Sequence, residues 1–204
     1  MEIEMTLEEP PQADAPMSTL QSLGGEGGAS PLEHVKLAMM ESFLGMTTRD
    51  IPYSDFLREM LFAVMKAVSC EAASFLEVDH QNQQLFFRSC TGRVSDQVLK
   101  FVIPIGTGLA GHVAQSQEHL VVHQAQENKQ HLKAIGDAVG FEAKNLVAFP
   151  IVIRGTVYGV IELINRTGEE NFTESDVELM KYLCNAMAKC IEMRLMLAWS
   201  LKAA

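Results

Sequence analysis

Residues 145–165 read Asn145-Leu-Val-Ala-Phe-Pro-Ile-Val-Ile-Arg-Gly-Thr-Val-Tyr-Gly-Val-Ile-Glu-Leu-Ile-Asn165, two apolar runs on either side of Arg154-Gly155. A two-residue connection that contains glycine is typical of a tight β-hairpin. Runs this apolar are typical of central strands that are covered on both faces. The segment therefore predicts a hairpin, Asn145–Arg154 with Thr156–Asn165, in the middle of a sheet.

Four further strands are predicted upstream of this hairpin. The first two are joined through Asp79-His80-Gln81-Asn82-Gln83, which is rich in turn-forming residues. The four predicted strands are Ala73–Val78, Leu85–Ser89, about Lys100–Ile105, and Leu120–His123. Lys129–Val139 is expected to form a short helix or a loop.

Helices are predicted at both ends of this region. Ser30-Pro31-Leu32-Glu33 combines a capping serine, a proline suited to the first helical position and a glutamate that completes a capping box. Apolar residues continue at helical spacing to Leu44, and Gly45 is expected to end the helix. Thr47–Pro52 is expected to be a linker, followed by helices over Ser54–Ser69 and Thr173–Leu201. The order predicts an α+β fold, with a central antiparallel sheet of about six strands flanked by an N-terminal and a long C-terminal helix.

The charge of the chain is uneven. It has 16 basic and 26 acidic residues, a net charge of −10, and residues 1–30 supply −6 of this with no basic residue. Together with their Pro and Gly content, this predicts that residues 1–29 form a disordered acidic tail. We expect residues 30–52 to form an amphipathic helix and linker, and residues 53–204 to form one domain with an extended C-terminal helix.

Composition also excludes several classes of function. An acidic chain lacks the electrostatic footprint of a nucleic-acid or anionic-membrane binder, and no apolar run reaches the roughly 18 residues of a membrane span. A cytoplasmic location is therefore expected. The four cysteines form no C-x-x-C pair, so we expect reduced thiols. Paired-ligand spacing is also missing among the histidines His112, His119, His123 and His131. We therefore expect no metal ion and no cofactor.

Three segments in order resemble the GAF domain family, the sensory domain of cyclic-nucleotide phosphodiesterases, phytochromes and bacterial regulators. They are Phe101-Val-Ile-Pro-Ile-Gly-Thr-Gly-Leu-Ala-Gly-His-Val-Ala114, then Asn145-Leu-Val-Ala-Phe-Pro-Ile-Val-Ile-Arg-Gly155, then Thr156-Val-Tyr-Gly-Val-Ile-Glu-Leu-Ile-Asn-Arg166. The resemblance covers about residues 53–200. It implies a regulatory module that binds a small ligand, with a cyclic nucleotide as the first candidate.

The same resemblance implies where a ligand would bind. The pocket would border the turn after the third strand, the short helix and the inner strand faces. The candidate ligand-binding residues are Ile103, Gly106, Thr107, Gly108, His123, Leu132, Asn145, Val147 and Phe149. Gly106–Gly111 also matches G-x-G-x-x-G, but Pro104 in the preceding strand and the short following helix favour a tight strand-to-helix turn over a dinucleotide site.

Asn165-Arg166 followed by Phe172 and Asp176 resembles the N-K…F-x-x-x-D-E motif of phosphodiesterase GAF domains. Arg166 replaces the lysine and Val177 replaces the final glutamate. A purely structural explanation is also available, in which Thr173 and Asp176 form a capping box and Arg166 pairs with Asp176. Both a structural and a ligand-linked role remain open at this point.

No catalytic motif is recognised, so we expect a protein that is not an enzyme. One branch of GAF proteins, the free methionine sulfoxide reductases, does catalyse and needs clustered cysteines. The segment Gly140–Ile153, where that branch looks richest in cysteine, contains none here.

The last helix carries two apolar stripes, and one is enough to cover a sheet. The second stripe includes Tyr182, Met193, Leu197 and Trp199, and it is expected to form a homodimer interface unless the first helix covers it. The expected function is thus signalling through dimerisation or contact with an unidentified signalling protein. The alternative is a ligand-free scaffold that acts only through protein contacts.

Overall fold

The computed structural model of the protein describes residues 30–92, 95–127, 135–137 and 140–203. The tail predicted over residues 1–29 lies outside this range, as does most of Lys129–Val139. The helices are α1 (Pro31–Thr47), α2 (Tyr53–Val68), α3 (Ser95–Val98), α4 (Gly108–Ser116) and α5 (Glu174–Ala203), with a 3₁₀ turn at Ala125–Glu127. The strands are β1 (Cys70–Asp79), β2 (Gln84–Thr91), β3 (Val102–Pro104), β4 (Leu120–Val122), β5 (Leu146–Ile153) and β6 (Thr156–Arg166).

The six strands form one antiparallel sheet in the order β3-β2-β1-β6-β5-β4. The hairpin predicted around Arg154-Gly155 is β5–β6, and it lies inside the sheet as expected. Arg154 and Gly155 both have positive φ angles (50° and 79°), the conformation that a two-residue hairpin connection requires. The predicted α+β class and the six-stranded sheet are confirmed.

One face of the sheet packs against α1, α2 and α5. Its central row of side chains consists of Phe75 on β1, Ile161 on β6 and Phe149 on β5, which are register partners and nearly inaccessible to solvent. Phe43 of α1, Phe56 of α2 and Met187 of α5 belong to the same buried cluster. We refer to this side as the helix face.

The opposite side of the sheet is covered by much shorter elements. Leu76, Val160, Leu146 and Ala148 lie on this side, in a second buried cluster with Leu109 and Val113 of α4 and Ile103 of β3. We refer to it as the cavity face. Because successive residues of a strand point to opposite sides, the two clusters share the same strands without sharing side chains.

Helix α1 ends later than predicted, because Gly45 does not stop it. The helix continues to Thr47, whose hydroxyl donates a hydrogen bond to the Phe43 carbonyl at 2.8 Å. Arg194 of α5 donates hydrogen bonds to the carbonyls of Thr47, Arg49 and Ile51. These contacts with α5 stabilise the last turn of α1, so tertiary packing overrides the local preference of glycine.

The second stripe of α5 has two different environments. Tyr182 is half-buried beside α1, with the Lys36 ammonium 5.7 Å from its ring centre, so it is covered within the chain. Met193, Met196, Leu197 and Trp199 are 40%, 51%, 42% and 70% exposed. The first helix therefore covers only the N-terminal part of this stripe. Despite this apolar content, neither α5 nor any other helix in the described residues has the length and hydropathy needed to cross a bilayer.

A pair of glycine substitutions tests the packing of the helices. Gly45→Ala should raise the free energy of unfolding by about 0.5–1 kcal/mol, because alanine favours helix and nothing lies within 4 Å of the added Cβ. Gly111→Ala is the matched change in α4, and it should destabilise the protein because its Cβ would lie 2.6 Å from the Pro104 carbonyl oxygen. Thermal unfolding of both variants measures the difference, and equal effects would contradict this packing.

Candidate functional site

A cavity of about 110 Å³ lies between the cavity face of the sheet and its cover. The floor is formed by β1, β2, β5 and β6, and the cover by α3, β3, α4 and the described residues 135–136, 141 and 143. Floor residues are Ala72, Ala73, Ser74, Phe87, Cys90, Thr91, Leu146, Glu162 and Ile164. Cover residues are Val98, Ile103, Leu109, Ala110, Ile135, Gly136, Phe141 and Ala143. The walls are thus mainly apolar.

Glu162 is the acidic side chain of this floor. It lies on β6 between Ser74 of β1 and Ala148 of β5, its register partners, and only 8% of it is exposed. The Ser74 hydroxyl donates a long hydrogen bond of 3.4 Å to Glu162 Oε2. Burial raises the pKa of the Glu162 carboxyl from 4.5 to about 7, although the Ser74 hydrogen bond opposes the shift. Burial of a carboxyl group with so little compensation is uncommon outside functional sites.

The sequence analysis missed Glu162. The available signal was a single acidic residue in the otherwise apolar run Val160–Ile164 of a central strand. Lys, Glu, Arg and Asp are almost never fully buried unless they are paired, so an acid at such a position points to a functional site. The apolar pattern by itself predicts only a strand.

Of the predicted ligand-binding residues that the structure describes, Ile103 alone lines the cavity. Val147 and Phe149 belong to the helix face, because β5 directs Leu146 and Ala148 to the cavity face instead. His123 is exposed beyond β4, and Leu132 lies outside the described residues. Val147, Phe149 and Ile103 are therefore not brought together as predicted.

Gly106, Thr107 and Gly108 form the turn that leads from β3 into α4. The Gly106 amide donates a hydrogen bond to the Gly111 carbonyl at 2.9 Å, and the Thr107 amide donates to the Pro104 carbonyl at 3.0 Å. The close approach of Gly111 to Pro104 leaves no space for a Cβ atom. This geometry agrees with the tight strand-to-helix turn favoured from the sequence, and it places the turn beside the cavity rather than in its wall.

Asn145 and Asn165 join the end of the hairpin to the cover of the cavity. Asn145 Oδ1 accepts a hydrogen bond from the Arg166 amide at 2.8 Å, and its Nδ2 donates to the Glu170 carbonyl at 2.9 Å. Asn165 Oδ1 accepts from the Lys144 amide at 2.8 Å, and its Nδ2 donates to Glu71 and to the Glu142 carbonyl. The side chain of Asn145 is therefore used for structure and does not line the cavity.

The second half of the motif fixes the start of α5. Arg166 Nε lies 3.0 Å from Asp176 Oδ2, in a largely buried ion pair. The Asp176 amide donates to Thr173 Oγ1 at 3.2 Å and the Thr173 amide donates to Asp176 Oδ2 at 2.9 Å, which is a reciprocal capping box. Phe172 is buried beside this cap. These contacts directly support the structural explanation of Asn165, Arg166, Phe172 and Asp176.

The cysteines do not cluster at the cavity in the described part of the chain. Cys90 lies in its floor, whereas Cys70, Cys184 and Cys190 belong to the cluster on the helix face. Burial raises the pKa of the Cys184 thiol and raises that of Cys70 to about 12, so both thiols stay protonated at neutral pH.

Glu162→Gln tests the environment of the buried carboxyl. Because the pKa is higher in the folded than in the unfolded chain, the folded state holds the proton longer and wild-type stability falls as the pH rises from about 4.5 to 7. The glutamine variant lacks this loss, so the stability difference between the two proteins should shift by roughly 3 kcal/mol in favour of the variant between pH 4 and pH 8. Chemical unfolding between pH 4 and 8 measures this, with Glu41→Gln at an exposed carboxylate as the control. Parallel pH profiles of wild type and Glu162→Gln would contradict the assignment.

Curated proteins with similar sequences include cyclic-nucleotide phosphodiesterases. The chain is 31% identical over 119 residues to the probable 3',5'-cyclic phosphodiesterase pde-5 of Caenorhabditis elegans, covering 54% of the chain and 16% of that protein. It is 32% identical over 85 residues to the rod cGMP-specific 3',5'-cyclic phosphodiesterase subunit alpha of Bos taurus, covering 41% of the chain and 10% of that protein. The chain thus spans at most about one sixth of the length of these relatives.

Solved structures with the same fold include GAF domains of larger proteins and a sulfoxide reductase. The GAF domain of a phosphoenolpyruvate-protein phosphotransferase from Coxiella burnetii superposes with a TM-score of 0.69 at 18% identity, covering 86% of this chain and all of that one. The free methionine-R-sulfoxide reductase of Neisseria meningitidis, solved with its substrate, superposes with a TM-score of 0.65 at 17% identity, covering 83% and 95%. At this identity the likeness establishes the fold alone.

The family profile described as GAF domain matches residues 51–192. This range includes the whole six-stranded sheet, the cavity and most of α5. By this match the chain belongs to the GAF domain family.

Proposed function

We propose that this GAF domain is a regulatory module that takes up a small organic ligand in the cavity beside Glu162. The observation that carries the proposal is a mainly apolar cavity whose floor holds the buried carboxyl group of Glu162. Ligand sites have this composition, because apolar walls supply affinity and a few polar groups fix orientation.

The unused hydrogen-bond acceptors of Glu162 support a cavity that binds a ligand rather than a packing defect. A carboxylate offers about four acceptor positions, and the Ser74 hydroxyl occupies one of them weakly. A buried polar group left without partners costs about 1–3 kcal/mol, and more when it is charged. A ligand that donates hydrogen bonds to Glu162 would remove this cost, which a purely structural cavity would retain.

Two elements of the cover, α3 and β3, are much shorter than the central strands of the floor. Helix α3 has four residues and β3 has three, whereas β1 and β6 have ten and eleven. Short elements with few hydrogen bonds open at lower free energy than long central strands. A cavity of about 110 Å³ is below the usual range of roughly 300–1,000 Å³, so a large ligand requires outward movement of this cover.

Cyclic nucleotides are the first ligands to test, because the curated relatives are named as phosphodiesterases that act on them. Saturating cGMP, cAMP and a panel of small metabolites should include at least one compound that raises Tm by mass action. Ala110→Leu should abolish this rise, because the larger side chain fills the cavity. Ala38→Leu, at an exposed position of α1, is the matched control and should retain it. A panel without any saturable rise, or a rise that persists in Ala110→Leu, would contradict ligand uptake at this cavity.

We also propose that the exposed end of α5 pairs with the same stripe of a second copy of the chain. Met193, Met196 and Leu197 lie at i, i+3 and i+4 spacing on one side of the helix, with Trp199 nearby. A two-fold axis brings the same surface of both copies together, so one apolar stripe can cover the other. Trp is enriched among the residues that carry the binding energy of interfaces.

Met193→Glu combined with Leu197→Glu tests this dimer. Each buried unpaired carboxylate costs several kcal/mol, against about 8 kcal/mol for a micromolar dimer. Light scattering should give twice 22.5 kDa for the wild type and 22.5 kDa for the variant. Ser175→Glu with Asn185→Glu adds the same charges at exposed polar positions of α5 and should remain dimeric. A monomeric wild type would contradict the proposal and favour the ligand-free scaffold or another partner for this surface.

A further inference from the structure

The described residues that line the cavity include an acidic side chain and no basic one. Glu162 on β6 is an acidic lining residue, and the described lining residues of all the other elements include no lysine, arginine or histidine. Cys90 on β2 is the other titratable side chain among them, and Ser74 and Thr91 on β1 and β2 are the neutral polar ones. A charged group that enters this cavity therefore lies near a carboxyl group, and none of the described lining residues is cationic.

The orientation of Glu162 leaves its acceptor capacity available to a ligand. Its backbone is fixed in the central strand, paired with Ser74 on one side and Ala148 on the other. Of the described residues, Ser74 supplies the side-chain donor that reaches the carboxylate, at 3.4 Å from Oε2. Leu146, Ile164 and the described residues of the cover line the same cavity, and none of these side chains carries a hydrogen-bond donor.

We propose that the cavity selects a ligand of about one ring that presents two adjacent N–H donors, as in an amidine, a guanidine or a 2-amino N-heterocycle, and that the Glu162 carboxylate accepts both hydrogen bonds. This inference rests on the proposed ligand-binding function and names its chemical class. Parallel N–H···O bonds to a carboxylate are charge-assisted and fix the plane of the ligand, so they combine strength with specificity. An anionic group placed against the same carboxylate would instead be repelled.

The size of the cavity agrees with this class. Its volume of about 110 Å³ is of the same order as the 150 Å³ engineered cavity that takes up benzene. The apolar cover, including Ile103, Leu109 and Phe141, can pack against the faces of a flat ring. A planar head with N–H donors would therefore place its polar edge on Glu162 and its ring against the cover.

Binding of such a ligand is coupled to ionisation of Glu162. Burial holds the pKa of this carboxyl at about 7 in the free protein, and N–H donors favour the ionised form. The ligand should therefore lower this pKa and displace a proton at or below neutral pH. Its dissociation constant should rise about tenfold for each pH unit below 7 and be constant well above it.

Benzamidinium and benzoate provide a matched pair of probes, because they have the same size and shape and opposite charge. Calorimetric titration of the full chain at pH 8 should give at least a tenfold lower dissociation constant for benzamidinium than for benzoate. Glu162→Gln should weaken benzamidinium binding at least tenfold and abolish its dependence on pH. Glu41→Gln should change neither, since that carboxylate is exposed on α1.

Two results would overturn the inference. The first is that benzoate binds as tightly as benzamidinium, or that Glu162→Gln leaves benzamidinium binding and its pH dependence unchanged. The cavity would then take up rings without selecting N–H donors, so the inference would be wrong while the proposed ligand-binding function would remain. If neither ring nor any compound of the nucleotide and metabolite panel binds, the ligand-binding function is overturned together with the inference.

Discussion

The alternation of side chains along β6 is the constraint on which the rest of the structure depends. This strand lies between β1 and β5, and its residues must point alternately to the helices and to the cavity. Ile161 and Leu163 fill the helix face, so Val160, Glu162 and Ile164 are directed to the other side. A slip of one residue would exchange these sets and bury Glu162 among the helices, where the cost of burying its charge would be larger. The packing that defines the register thus also places the one carboxyl in the cavity floor.

The two sides of the sheet differ in how firmly they are held. On the helix face, α1, α2 and α5 form a continuous core, and Arg194 ties α5 to the carbonyls of the α1–α2 connection. At the ends of β5 and β6, Asn145 and Asn165 link the strands to residues 142–144 and 170, while Arg166 and Asp176 fix the start of α5. In the described cover, α3 and β3 are shorter than any strand of the floor. A ligand in the cavity would therefore contact a rigid floor and a cover that can adjust, which is the arrangement expected of a binding module.

Sequence patterns correctly predicted the structural features that depend on residues close together in the chain. The hairpin at Arg154-Gly155 and the capping box of Thr173 with Asp176 are local features, and both are present. The predicted end of α1 was wrong because the observed end depends on Arg194, nearly 150 residues away, rather than on Gly45. The predicted cavity positions Val147 and Phe149 lie on the helix face because the unbroken apolar run of β5 carries no alternation that would reveal its orientation. Glu162 could have been found from its charge in an apolar strand, but its enclosure depends on packing that no local pattern encodes.

The account is tested most directly by the titration of Glu162 itself. Selective ¹³C labelling and an NMR titration of the side-chain carboxyl would report its ionisation in the folded protein, independently of stability and of any ligand. A midpoint near pH 7 is the predicted result, because the apolar cavity favours the neutral form and the long hydrogen bond from Ser74 opposes this only weakly. A midpoint at or below the ordinary value of 4.5 would contradict the account, since it would mean that the carboxylate is solvated or paired in the free protein.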